Sequence, residues 1–171
     1  MTAEIIQKLL KNHNPENLLE IALFTSLVAL IAAYVSQYVF GLEPCQLCFW
    51  QRKPFFAIII LTGLVLFIPF LQKWQQLAVK LCIILFVLNA AIAFYHFGVE
   101  QKWFTGLDSC SLQNIAATTV DELMAQLENT KIARCDEPQF IFLDLSMAGW
   151  NVFYCLFWAV FLGIGFRKNK Y

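Results

Sequence analysis

The cysteines offer the most distinctive chemistry in this sequence, and two of them, Cys45 and Cys48, form a Cys-x-x-Cys pair. Two intervening residues bring the sulfur atoms within bonding reach in a tight turn. A thiol at the start of a helix also faces free backbone N–H groups and the positive end of the helix dipole, which favour its thiolate. Arg52 follows Cys48 by one helical turn and adds a permanent positive charge on the same face. The spacing therefore predicts a redox-active pair.

A second pair of cysteines, Cys110 and Cys135, lies on one polar segment further along the chain. The two cysteines are separated by 24 residues, and a disulfide that closes a loop of that length is entropically plausible. A strained or exposed disulfide would be labile, as redox exchange requires. Two alternatives remain open. The four cysteines could be the ligands of a zinc ion, or they could form static disulfides in a membrane scaffold or transporter subunit without enzymatic activity.

The elements that must position these residues are apolar helices. The chain has 171 residues, of which 60% are hydrophobic and 14% charged, whereas about a quarter of the residues of a soluble domain are charged. Four apolar segments are long enough to span a bilayer, and they cover residues 18–40, 49–71, 77–97 and 146–166. The sequence predicts an all-α membrane protein, a single domain folded as a four-transmembrane-helix bundle, whose first segment is a retained anchor.

Two polar connections, 41–48 and 98–145, lie on the same side of this bundle and carry the two cysteine pairs. Within the longer one, Thr119–Glu122 has the form of a capping box and is followed by apolar residues at helical spacing, which predicts a short amphipathic helix. Basic residues concentrate on the other side, so the positive-inside rule predicts cytoplasmic termini. The cysteine pairs then face the non-cytoplasmic side, where disulfides persist.

Three further residues draw interest because of their position. Arg52 and Lys53 lie at the non-cytoplasmic end of a span, where the positive-inside rule gives no reason for them. Stabilising a thiolate or an electron-rich ring oxygen is one reason, and anchoring lipid phosphates is another. His96 ends the third span at the same depth. It is interpreted either as an interfacial hydrogen-bonding residue or as part of the site. Cys82 and Cys155 fall inside spans and are interpreted as packing residues.

Several stretches of this sequence resemble the DsbB family of bacterial disulfide-formation proteins, which are inner-membrane thiol:quinone oxidoreductases with four spans. The matching stretches are Pro44-Cys45-Gln46-Leu47-Cys48-Phe49-Trp50-Gln51-Arg52, Tyr95-His96-Phe97-Gly98-Val99-Glu100, Cys110, Arg134-Cys135-Asp136, and Leu145-Ser146 through Trp150-Asn151. They extend from the first polar connection to the fourth span. Asp144 and Lys53 depart from the family pattern, which puts details of loop docking in doubt.

The resemblance implies an electron path through the four cysteines. A DsbA-like periplasmic thioredoxin-fold oxidase attacks Cys110 of a Cys110–Cys135 disulfide, and the freed Cys135 then attacks Cys45. Cys48 is released as a thiolate against the ring of a quinone, either ubiquinone or menaquinone, and the path ends in a Cys45–Cys48 disulfide and quinol. This family is itself the established example of a quinone-linked path that keeps the periplasm oxidising.

The same resemblance implies the surroundings of the site. Arg52 would hold the quinone and favour the thiolate, with His96 nearby, and no metal would take part. The partners would be the periplasmic oxidase, membrane lipid and the quinone pool, with no nucleic acid, and the location would be the bacterial inner membrane. A relative of the DsbI branch, which serves a dedicated partner, is the rival within the same chemistry.

Overall fold

The computed structural model describes residues 14–106 and 134–168. Most of these residues form four helices that are long and apolar enough to cross a membrane: α1 (Pro15–Tyr38), α2 (Gln46–Phe67), α3 (Gln75–Glu100) and α4 (Met147–Lys168). A 3-10 turn, Pro69–Trp74, leads directly into α3, and two short strands, β1 (Ile141–Phe142) and β2 (Leu145–Ser146), precede α4. The predicted all-α, four-helix membrane fold is confirmed.

The second helix begins and ends earlier than the predicted segment 49–71. Cys45 is its N-cap, and the Cys45 sulfur accepts a hydrogen bond from the backbone N–H of Cys48 at 3.3 Å. At the other end Ile68 is extended, because the following proline disfavours the helical conformation in the residue before it. The helix has 22 residues, a length of about 33 Å. It therefore reaches spanning length by beginning directly after Cys45, with Cys48 in its first turn.

Each helix contributes buried apolar residues to a shared interior. Leu19, Ile58, Phe86 and Leu162, one from each helix, are almost completely buried. The outer surface is also apolar, as expected where lipid is the solvent, and Phe67 is 81% exposed. Because lipid tails are as apolar as these side chains, close packing rather than the hydrophobic effect holds such helices together. Small buried residues allow that close approach: Ala22, Ala78, Ala90 and Ala159.

A tight hairpin joins the long polar connection to α4. The two strands pair antiparallel, with Ile141 opposite Ser146, and the two turn residues have positive φ, 52° at Leu143 and 59° at Asp144. Such turns usually carry Asn or Gly, so Leu-Asp gives no signal for this hairpin in the sequence. The hairpin delivers Ser146 to the start of α4, where its hydroxyl accepts a hydrogen bond from the N–H of Gly149 at 3.2 Å.

Two predicted features of the long connection lie outside the described residues. These are the short amphipathic helix that begins near Thr119 and the cysteine at position 110. Both remain predictions. The described part of the connection, from Arg134 onward, lies at the same end of the bundle as the Cys-x-x-Cys pair, because Cys135 and Cys45 belong to one buried cluster.

Candidate functional site

The two residues of the Cys-x-x-Cys pair are free thiols, with Cys45 at the N-cap of α2 and Cys48 in its first turn. The sulfur atoms are 2.9 Å apart, and the Cys45 thiol donates a hydrogen bond to the sulfur of Cys48. That hydrogen bond and the burial of Cys45 both raise the pKa of the Cys45 thiol above its usual value. Cys45 is thus the sulfur that keeps its proton, and Cys48 is the sulfur that accepts it as a hydrogen bond.

Arg52 lies one turn further along α2 and is largely buried. Its guanidinium donates to the side-chain oxygen of Gln37 at 2.8 Å and to the carbonyl of Ala33 at 3.4 Å. It also lies over the ring of Tyr34, 4.9 Å from the centroid. Among residues 14–106 and 134–168, no carboxylate forms an ion pair with it. A largely buried cation without an anionic partner can stabilise a negative charge brought close to it.

Lys53, by contrast, lies on the exposed side of the same helix. Its ammonium is 5.0 Å from the centroid of the Trp50 ring, and it does not line the cavity described below. The two adjacent basic residues therefore face different surroundings, and only Arg52 faces the cavity.

His96, in the last turns of α3, contacts the cysteine pair directly. Its Nε2 atom is 3.4 Å from the sulfur of Cys45 and 3.7 Å from a carboxylate oxygen of Glu100. Its Nδ1 atom is 2.7 Å from the side-chain nitrogen of Gln51. The imidazole is held between Gln51 and Glu100, and the sulfur it contacts is that of Cys45, the sulfur that keeps its proton.

Three polar residues for which the sequence predicted no role complete this network. Gln51 accepts a hydrogen bond from the side-chain nitrogen of Asn151 at 2.7 Å, and the Ser146 hydroxyl donates to Glu100. Asn151 interrupts an otherwise apolar span. An intramembrane polar residue is a signal of function in its own right, and that signal could have drawn attention to Asn151. Gln51 is next to Arg52 in the sequence and gave no separate signal.

A cavity of about 510 Å³ opens beside the cysteine pair, within the range typical of small-molecule sites. Its wall brings together residues of α1, α2, α4, the end of α3 and the described end of the long connection. The residues on this wall that lie around the cysteine pair include Cys45, Cys48, Arg52, His96 and Glu100. Much of the remaining wall is apolar, including Val28, Ala29, Phe55, Met147, Phe153 and Phe157. An apolar ring with polar oxygens at its edge fits this combination of an apolar wall, a guanidinium and a thiol.

Cys135 lies at the same end of the bundle as the pair. It is disulfide-bonded and only 1% exposed, and it packs in one buried cluster with Cys45, Leu47 and Val99. Its neighbours are polar and exposed: Arg134 forms ion pairs with Asp136 at 2.8 Å and with Glu137 at 3.1 Å. Hydrogen bonding to Arg134 keeps the pKa of Asp136 below its usual value.

The start of the long connection folds back over the end of α3. The ring of Phe104 stacks on Tyr95 with centroids 5.7 Å apart, and the Tyr95 hydroxyl donates to the carbonyl of Thr105 at 2.8 Å. Gly98 permits this, because a Cβ atom at that position would collide with the Phe104 ring. The packing of Phe104 thus requires a glycine at position 98, two residues after His96.

The same site could hold a metal ion through three residues. The ligand atoms of Cys45, Cys48 and His96 all lie within 4.8 Å of one another. The four-cysteine zinc site considered from the sequence is a different arrangement. Of its four cysteines, Cys135 is disulfide-bonded, and in that state its sulfur cannot serve as a thiolate ligand.

Comparison with known proteins decides the family. The family model described as disulfide bond formation protein DsbB matches residues 15–165. The chain belongs to the DsbB family. It is therefore a membrane protein of disulfide formation, and the family indicates an oxidoreductase. The match extends from the first residue of α1 to the last turn of α4, and it includes the Cys-x-x-Cys pair, His96 and Asn151.

Two curated relatives are similar over most of their length. An uncharacterized protein of Rickettsia prowazekii (strain Madrid E), RP370, is 26% identical over 141 residues, which cover 81% of this chain and 80% of the relative. The disulfide bond formation protein B of Marinobacter nauticus (strain ATCC 700491 / DSM 11845 / VT8) is 27% identical over 151 residues, which cover 83% of this chain and 85% of the relative. No solved structure matches the chain.

Proposed function

We propose that this DsbB-family protein reoxidises a DsbA-like thioredoxin-fold oxidase in the bacterial periplasm and passes the electrons to a quinone in the inner membrane. One observation carries the proposal: the Cys45 and Cys48 thiols line a largely apolar cavity, while disulfide-bonded Cys135 shares a buried cluster with Cys45. A disulfide-bonded cysteine and an apolar cavity near the same thiol pair support electron transfer from one to the other. Both termini are cytoplasmic in this proposal, since α1 begins and α4 ends at the end of the bundle away from the cysteines.

The protein half of the reaction is a series of thiol–disulfide exchanges. A thiolate of the partner attacks Cys110, which breaks the Cys110–Cys135 bond and releases Cys135 as a thiolate. Cys135 attacks Cys45, which breaks the Cys45–Cys48 bond and releases Cys48 as a thiolate. The buried cluster that Cys45 and Cys135 share supports this second step, because it holds the attacking and the attacked residue in one part of the protein.

The first disulfide is then restored. The partner's second thiol attacks its own sulfur in the mixed disulfide, so the partner leaves oxidised and Cys110 becomes a thiolate. Cys110 attacks Cys135, which re-forms Cys110–Cys135 and releases Cys45 as a thiolate. One disulfide has moved to the partner, and Cys45 and Cys48 are left as the reduced pair.

The cavity supports the second half of the reaction. A quinone, when bound, supplies an acceptor for two electrons and two protons, and Arg52, His96 and Cys48 are the residues that would hold its head group. Arg52 has the charge to stabilise an oxygen that becomes electron-rich. Its hydrogen bonds to Gln37 and Ala33 fix its position beforehand. The apolar remainder of the wall excludes water from the pair.

The test is anaerobic turnover with a reduced thioredoxin-fold partner and a water-soluble quinone analogue, with quinol formation followed by absorbance. The Cys48→Ser variant should lose quinone reduction completely. Cys110→Ala should block oxidation of the partner yet leave Cys45 and Cys48 oxidisable by the quinone. Cys82→Ser is the matched control, because Cys82 is buried in the core away from the cavity, and it should turn over as the wild type does.

Folded protein that neither oxidises a partner nor reduces a quinone would contradict the proposal and favour a scaffold with static disulfides. Turnover with one dedicated partner alone would place the protein beside the DsbI branch instead. A stoichiometric zinc ion in the purified protein, with no titratable disulfide, would also contradict it.

A further inference from the structure

The hydrogen bonds around His96 determine which of its two ring nitrogens carries the proton. The N–H of Gly149 donates to the Ser146 hydroxyl oxygen at 3.2 Å, which leaves the hydroxyl proton for Glu100. Glu100 thereby accepts at one oxygen and presents the other as an acceptor, 3.7 Å from Nε2 of His96. The second neighbour of Nε2 is the Cys45 sulfur at 3.4 Å, whose own proton is directed at Cys48. Both neighbours accept, so Nε2 carries the imidazole proton.

The other ring nitrogen of His96, Nδ1, faces a donor instead of acceptors. With the proton on Nε2, Nδ1 is an acceptor, and the side-chain nitrogen of Gln51 donates to it at 2.7 Å. The Gln51 oxygen must then face a donor, and the side-chain nitrogen of Asn151 supplies it at 2.7 Å. The Asn151 oxygen in turn accepts from the Cys155 thiol at 3.4 Å. Two amides, each fixed by the next, thus connect α4 to the imidazole.

We propose that Gln51 and Asn151 are positioning residues that hold His96 in its Nε2–H tautomer and aim that proton at the sulfur of Cys45. The inference rests on the proposed function, in which Cys45 leaves as a thiolate when Cys110 attacks Cys135. A donor held 3.4 Å from this sulfur stabilises the negative charge that develops on it, and the proton stays on the imidazole throughout.

The surroundings strengthen such a hydrogen bond. His96 is 4% exposed and Gln51 8%, and a low local dielectric makes a hydrogen bond to a charged sulfur stronger than it is in water. The same burial makes a wrongly turned amide costly, because a buried donor or acceptor would lose its partner. Gln51 and Asn151 can therefore fix the tautomer even though Asn151 lies one residue away from His96 in the chain of hydrogen bonds.

The first test reads the tautomer directly. The chain has two histidines, so the His13→Gln variant labelled with ¹⁵N-histidine gives signals from His96 alone, and the two ring nitrogens identify the protonated one. Nε2 should be protonated in this background. Gln51→Glu should move the proton to Nδ1, because a carboxylate only accepts. Asn151→Asp should also move the proton to Nδ1, although residue 151 does not contact His96. The Gln51 amide must then donate to the new carboxylate and turn its oxygen to His96.

The second test reads the consequence at Cys45. In a Cys48→Ala background, the rate of Cys45 alkylation across a pH series reports its thiolate. Losing a hydrogen bond to a charged group corresponds to about a 10- to 100-fold decrease, and Asn151→Asp should slow alkylation by about that factor. Asn151→Leu adds no charge and frees the Gln51 amide to take both orientations, so its alkylation rate should lie between those of Asn151→Asp and the background.

The matched control is Gln76→Glu, the same chemical change on an exposed residue at the opposite end of the bundle. It should alter neither the tautomer nor the alkylation rate. A proton on Nδ1 in the background protein, or an unchanged tautomer in Asn151→Asp, overturns the inference. A tautomer that moves without any change at Cys45 overturns the positioning role. Neither test uses a quinone or a partner, so a failure of the proposed function would appear separately, as absent turnover by the wild type.

Discussion

Replacing Cys48 by alanine should make the remaining thiol of the pair more acidic. The Cys45 thiol donates to the Cys48 sulfur across 2.9 Å, and this hydrogen bond is the largest cause of the raised pKa of Cys45, followed by burial. A hydrogen bond to a charged group contributes about 1.5–3 kcal/mol, which corresponds to about 1–2 pKa units. The Cys48→Ala variant should therefore have a Cys45 pKa lower by about that amount, with the effect of burial retained.

The sign follows from which form the native site favours. A thiol with a raised pKa stays protonated at neutral pH, and its thiolate appears only as the pH rises through that pKa. Lowering the pKa by about 1–2 units gives about 10- to 100-fold more thiolate at any pH below it. The assay is alkylation of reduced protein in detergent across a pH series, with modified Cys45 quantified by mass spectrometry of its peptide.

Cys82→Ala is the control, because Cys82 is buried in the bundle core and its loss should leave the Cys45 profile unchanged. Alkylation of Cys45 in Cys48→Ala that is unchanged or slower than in the wild type would refute the reasoning. It would mean that the proton is not held between these two sulfurs.

Three further predictions follow from the packing and the polar contacts. Phe86→Ala should destabilise the bundle by about 3 kcal/mol, because Phe86 is fully buried against Phe55. Unfolding by denaturing detergent measures this. The control is Phe67→Ala on the lipid-facing surface, which should change stability by less than about 0.5 kcal/mol. Ser146→Ala should cost about 1 kcal/mol through loss of its bond to the N–H of Gly149, and Ser146→Thr should restore most of it; equal stability of all three proteins would contradict this. Arg52→Lys keeps the charge but loses the planar fork that reaches Gln37 and Ala33, so kcat/KM for a quinone analogue should fall about tenfold, with Lys53→Gln as the control that leaves it unchanged.

The four-helix fold could be predicted from the sequence, because hydrophobicity summed over many residues identifies each span. Each span is an apolar run of helical length, and no single residue decides it. The helix ends were less accessible, because single contacts set them. Helix α2 begins at Gln46 rather than near position 49 since Cys45 caps it, and it ends at Phe67 since a proline follows Ile68. The hairpin before α4 was missed because Leu143 and Asp144 occupy a turn in which other residues are usual.

In the candidate site, too, contacts within one helix could be predicted and contacts between helices could not. The spacing of Cys45, Cys48 and Arg52 is local, so one helical turn of sequence was enough to place them together. The contact of His96 with Cys45 rather than another group depends on how α3 packs against α2. The hydrogen bond between Gln51 and Asn151 joins two helices whose residues are 100 positions apart. No periodicity within one helix carries that information.

The cavity is walled by residues of α1 and α4, two helices that share few contacts with each other. Its contents would thus be exchanged sideways with the membrane rather than with the aqueous phase. The relevant concentration of an occupant is then its mole fraction in the lipid, so a longer hydrocarbon tail would raise occupancy through partitioning even where the tail touches no protein atom. Inhibitors of this site should accordingly rank by lipid partition coefficient as well as by fit to the head-group end.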